Sequence, residues 1–84
     1  MKKHSVIISG HATSLSIEPE FWTAFTRLAQ ANSTPLSHLI QEIDDTRTGN
    51  LSSAIRLYVL KSYTEIIENQ QAQKNPINDK DAKR

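Results

Sequence analysis

The first structured pattern has a period of two. Ser5-Val6-Ile7-Ile8-Ser9 is a short run rich in β-branched residues, Gly10 offers a break, and Ala12 to Ile17 alternates small or polar residues with apolar ones. That alternation puts Thr13, Leu15 and Ile17 on one face and Ala12, Ser14 and Ser16 on the other. A strand with one apolar face is not stable alone, so it needs a hydrogen-bonding mate and a cover for that face.

The period then changes to that of a helix. Glu18-Pro19-Glu20 reads as a helix start, because proline suits the first helical position and acids complement the positive end of the macrodipole. Phe21, Trp22, Phe25, Leu28 and Ala29 form one face, and Asn32-Ser33-Thr34 ends the element. Thr34 and Pro35 are expected as the cap and first residue of a second helix, with Leu36, Leu39, Ile40 and Ile43 as its stripe and a break from Thr46 to Gly49. Asn50 is expected to cap a third helix from Leu51 to about Glu68. Its apolar residues fall on two sides, Leu51, Ile55, Val59 and Ile66 on one and Leu57, Leu60 and Ile67 on another, which predicts cover from two directions. In so short a chain the second cover is expected to be another copy.

Composition narrows the classes. The 84 residues suffice for one small domain, and a monomer of that size has little core. With no cysteine, disulfide scaffolds, zinc ribbons and thiol nucleophiles are excluded, leaving oligomerisation as the available staple. Met1 to His4 is followed by only three apolar residues before Ser9, so a leader or membrane segment is not expected and the chain reads as cytoplasmic. The net charge of +1 hides a division: Lys2 and Lys3 meet no acid up to residue 16, four bases face seven acids over residues 17–69, and four bases face two acids beyond. A polyanion would therefore be met by the N-terminal segment, assisted by Lys80, Lys83 and Arg84, and not by the acidic middle. Residues 1–69 are read as the domain and residues 70–84 as a disordered polar tail.

The arrangement of one alternating strand, a helix opened by proline, a tight turn and a second helix resembles the ribbon-helix-helix family of Arc type. The resemblance sharpens with Lys3-His4-Ser5-Val6, with Gly10-His11-Ala12-Thr13-Ser14-Leu15-Ser16-Ile17-Glu18-Pro19-Glu20-Phe21-Trp22, with Leu39-Ile40-Gln41-Glu42-Ile43-Asp44 and with Asn50-Leu51-Ser52-Ser53-Ala54-Ile55-Arg56-Leu57. These resemble a short bacterial subfamily with an added N-terminal segment and a third helix, over about residues 3 to 63. The implied fold is mainly α with a short N-terminal β-strand, an intertwined homodimer sharing a two-stranded antiparallel ribbon. The implied function is double-stranded DNA binding as a cytoplasmic transcriptional regulator or accessory factor.

That resemblance assigns residues by face. Ala12, Ser14 and Ser16 would enter the major groove, the backbone amides of Leu36 and Ser37 would anchor phosphate, and Lys2, Lys3 and His11 would add attraction. Leu15, Ile17, Phe25, Leu28, Leu39, Ile40 and Ile55 would hold the shared core. Alanine and serine lack the bidentate geometry of strong base readout, and four lysines per dimer would give a salt slope of roughly −3.6. Pro35 has no N–H to offer a phosphate.

Other chemistries find less support. His4 and His11 lack a recognisable ligand spacing, so no metal or cofactor is expected. Ser14, His11 and Asp44 or Asp45 supply the residue types of a hydrolytic triad with nothing to orient them, so the chain is not read as an enzyme. Phe21, Trp22, Phe25, Tyr58 and Tyr63 read as core and interface. Glu42, Asp44 and Asp45 read as a solvated face, with Arg47 either a local partner or itself facing solvent. The alternative function is a dimeric protein-interaction module of the same fold with weak or lost DNA binding, and helix three is its candidate partner surface.

Overall fold

The computed structural model describes residues 1–74, with side chains through residue 70. Two strands, β1 (Lys2–Ile8) and β2 (His11–Ile17), are followed by three helices, α1 (Pro19–Ala31), α2 (Leu36–Thr46) and α3 (Leu51–Lys74). The sequence placed a single strand and sought its mate in a second chain. Instead β1 pairs antiparallel with β2 in the same chain, from Lys2 opposite Ile17 to Ile8 opposite His11. The signal for this turn was Ser9-Gly10: both residues have positive φ, +51° and +81°, as a two-residue type I′ hairpin loop requires. Nothing in the period-two pattern separates a strand paired locally from one paired with a twin, because the alternation is the same.

Each helix start has a local cause. Glu18 is the extended residue before Pro19, whose fixed φ opens α1. The side-chain oxygen of Asn50 accepts from the N–H of Ser53 at 2.8 Å, so the expected cap of α3 is in place. Thr34, expected to cap α2, does not: its hydroxyl donates back to the carbonyl of Asn32 at 3.1 Å, and Pro35 is the N-cap with φ −57° and ψ 139°. Because Pro35 itself has an extended ψ, the helix begins one place further along, at Leu36. At the other end, α3 runs to Lys74 rather than stopping near Glu68, so the first residues of the expected tail are helical. The rest of that tail, residues 75–84, lies outside the described residues.

The core is Val6, Leu15, Ile17, Phe25, Leu28, Ala29, Leu39, Ile40, Ile43, Leu51, Ile55 and Val59, and it holds all seven residues expected there. Phe25, Ile17, Ile40 and Ile55 are fully buried, each contributing about 1.5–3 kcal/mol of hydrophobic stabilisation. β1 and α3 add buried area that a strand and two helices lack, whereas the second side of α3, expected to be covered by another copy, stays exposed at Leu57, Leu60 and Ile67.

Candidate nucleic-acid interface

The hairpin register decides which residues share a face. Lys3 opposite Ser16, Ser5 opposite Ser14 and Ile7 opposite Ala12 form one face, and all six are exposed. His4 opposite Leu15 and Val6 opposite Thr13 form the other, which packs on the helices. The expected outward set Ala12, Ser14 and Ser16 is therefore together, and Lys3 joins it. Lys2 and His11 do not: their register partners, Ile17 and Ile8, place them on the inward-facing side, although both are exposed at the sheet's ends. Sequence reading missed Ser5 and Ile7, the latter 58% exposed, because β1 was not read as a paired strand.

Backbone donors and acceptors follow the same parity. In a two-residue hairpin the pair closing the loop, Ile8 and His11, is hydrogen-bonded, and bonded pairs then alternate with non-bonded ones. Ala12, Ser14 and Ser16 fall on the non-bonded rungs, so their N–H and C=O groups point to the edge of β2 that β1 does not cover. In agreement, the carbonyl of Ser16 accepts from the Ser52 hydroxyl of α3 at 2.7 Å. The residues with outward side chains are thus those whose backbone groups point away from β1, free of backbone partners among the described residues at Ala12 and Ser14 and taken up by Ser52 at the Ser16 carbonyl.

Several contacts hold the hairpin on the helices. The side-chain oxygen of Gln41 on α2 accepts from the N–H of Ser9 at 2.8 Å, and its nitrogen donates to Asp45 at 2.9 Å. At the other end, the His4 ring stacks on Trp22 with centroids 3.9 Å apart and planes 14° from parallel. Trp22, an edge member of the α1 stripe by sequence, is a half-buried platform for the sheet. His4 Nε2 is buried and has no hydrogen-bond partner among the described residues. Where β2 meets α1, Arg56 of α3 binds the Glu18 carboxylate through two nitrogens at 2.8 and 3.2 Å. The bond from Arg56 comes first among the causes holding the Glu18 carboxyl below its ordinary pKa, followed by one from its own backbone.

At the start of α2, Leu36 is half-buried and Ser37 exposed, and neither meets a side-chain cap. The first backbone bond of this turn runs from the N–H of Leu39 to the carbonyl of Pro35 at 3.1 Å, leaving the N–H groups of Leu36, Ser37 and His38 at the helix start. With Pro35 as the cap, its missing N–H removes no donor from that turn. At the acidic end of α2 Arg47 pairs with Asp44 at 2.6 Å, and one turn earlier His38 lies 2.8 Å from Glu42. Among the described residues no group of three or more His, Cys, Asp or Glu is placed to hold a metal, and no helix is long and apolar enough to cross a membrane.

A two-stranded antiparallel sheet with one exposed face, seated on three helices, is the kind of element that β-ribbon DNA-binding proteins present to a groove. The family model described as the ribbon-helix-helix domain matches residues 1–63, and the chain belongs to that family, whose members are in general DNA-binding regulators. No curated protein and no solved structure matches the chain closely enough to add to this assignment.

Proposed function

We propose that this chain is a homodimeric, major-groove DNA-binding protein that acts as a bacterial transcriptional regulator or accessory factor. The observation carrying this is the coincidence on β2 of three small outward side chains with a backbone edge that no strand among the described residues covers, where only the Ser16 carbonyl meets a side chain, that of Ser52. An antiparallel β2–β2 pair centred on Ser14 uses that edge, setting Ser14 opposite Ser14 and Ala12 opposite Ser16 of the second copy. The product is a four-stranded sheet in which β1 of each chain lies outside.

Its dimensions divide the labour. Strands about 4.8 Å apart place the two outer strands about 14 Å from each other, wider than the roughly 12 Å major groove. The β2 pair enters the groove with Ala12, Ser14 and Ser16, and the β1 strands ride on its rims. Lys3, outward on β1, then meets the phosphates, and the free amides of Leu36 and Ser37 anchor a further phosphate at the positive end of α2. Lys2 and His11, on the other parity, contribute only general attraction. Hydroxyls and methyls give modest base discrimination, so affinity rests on phosphate contacts and on adjacent dimers.

Affinity for a duplex pool measured against salt tests this. Lys3→Ala is expected to flatten the slope by about 1.8 per dimer, from two lost contacts at about 0.9 each. Lys2→Ala should change it less. Equal and negligible binding to every duplex at low salt would instead favour the second reading, a protein-interaction module, which the exposed apolar face of α3 also supports.

A further inference from the structure

The apolar residues of α3 fall into the two sets their spacing predicts, except that Ile66, expected with the covered set, is 41% exposed. Leu51, Ile55 and Val59 are in the core, whereas Leu57, Leu60 and Ile67 are 55%, 60% and 53% exposed. With exposed Thr64 they recur at positions 57, 60, 64 and 67, the alternating three- and four-residue steps of a coiled-coil seam. Contiguous exposed apolar surface of this kind marks an interaction site.

The order of these residues says what fits. The spacing reads the same in both directions about residue 62, so a second α3 running the opposite way sets Leu57 against Ile67 and Leu60 against Thr64. The flanking charges add direction. Lys61 and Glu68 are one heptad apart on the same flank, exposed and opposite in sign. Side chains on a helix lean towards its N-terminus, so in an antiparallel pair Lys61 of one copy leans towards Glu68 of the other and away from the other copy's Lys61, which shares that flank, twice by symmetry. Apolar symmetry combined with charge antisymmetry is the condition for a surface that complements itself about a two-fold axis.

We propose that this face of α3 docks α3 of a second copy of the chain in antiparallel register, with Leu57 on Ile67 and Leu60 on Thr64. The contact is separate from the β2 edge and does not depend on the DNA reading. A dimer using both surfaces, or two ribbon dimers joined through α3 on neighbouring sites, follows from the same seam.

The chain has no cysteine, so engineered disulfides test the register directly. Leu60→Cys and Thr64→Cys chains carrying tags of different length are oxidised separately and mixed, beside an exposed Thr23→Cys control. The mixture is expected to form its covalent heterodimer about fivefold faster or more than either variant forms a homodimer. Self-linking of Leu60→Cys at the mixed rate would mean parallel helices and overturn the proposal. No linking above the control would assign the face to another occupant and overturn it equally. Independently, Lys61→Glu should weaken self-association measured by sedimentation about tenfold, since it converts two attractive pairs to repulsive ones, and adding Glu68→Lys should restore it. Failure of that restoration also overturns the seam. Repeating the linking with Ser14→Pro, which blocks the β2 edge, separates the two interfaces: the α3 link is expected to persist when the ribbon pair is lost.

Discussion

Arg56 on the third helix grips the carboxylate of Glu18, the residue that joins the sheet to the first helix, with nitrogen–oxygen distances of 2.8 and 3.2 Å. This two-pronged bond locks the end of β2 to both helices packed against it. Because the Arg56 bond lowers the Glu18 pKa in the folded chain, its contribution is fully present above the ordinary carboxylate pKa and is lost as pH falls through the lowered one. Glu18→Gln should therefore cost stability at pH 7 and progressively less in acid. Denaturation midpoints at pH 7 and pH 3 check this, and an equal loss at both would sink it.

The hairpin loop contains a residue in an unfavourable conformation. Ser9 has φ +51°, a region that asparagine and glycine tolerate better than serine. Ser9→Asn keeps the N–H that donates to Gln41 and should raise stability by about 0.5–1 kcal/mol. Gln41→Ala removes that acceptor and should lower stability by about 0.5–1.5 kcal/mol. Thermal melts of the two variants are expected to move in opposite directions.

His4 combines a favourable stack with an unfavourable buried nitrogen. His4→Phe keeps a ring against Trp22 and deletes the unpartnered polar atom, which should leave stability unchanged or raised by about 1 kcal/mol. His4→Ala, which loses the stack, is expected to fall below His4→Phe by about 1 kcal/mol or more. Trp22 is the chain's only tryptophan, so its fluorescence reports both changes.

The outward face of β2 lacks a strong base reader, and one substitution would supply it. Ala12 is exposed and outward, so Ala12→Arg should not disturb the core. A guanidinium there can contact guanine bidentately, worth about 1–3 kcal/mol of discrimination. Selection from a random duplex pool should return guanine-richer sites for the variant than for the parent. Identical preferences would argue against this face entering the groove.

Leu15 and Ile17 show what was legible along the chain: a period of two fixes their common face whichever strand pairs with them, and both are buried. The same holds for Phe25 and Leu28 on α1 and for Ile55 and Val59 on α3. Val6 and Ile7 were less legible, because a continuous β-branched run carries no alternation to say which side faces inward. Without β1, the outward position of Lys3 and the inward parity of Lys2 could not be read, and neither could the use of Gln41 and Trp22 as supports, whereas the inward parity of His11 follows from the alternation of β2 itself.

Local chemistry along the chain determined the elements, their boundaries to within a few residues, the inward and outward faces of β2 and the two-sided character of α3, since each depends on neighbours within a turn or two. Tertiary structure alone decided that β1 is the mate of β2, that one chain encloses its own core, and that the uncovered surfaces are the β2 edge and the 57–60–64–67 stripe. Pairing and burial depend on which distant segments meet, and periodicity is silent about the identity of the partner.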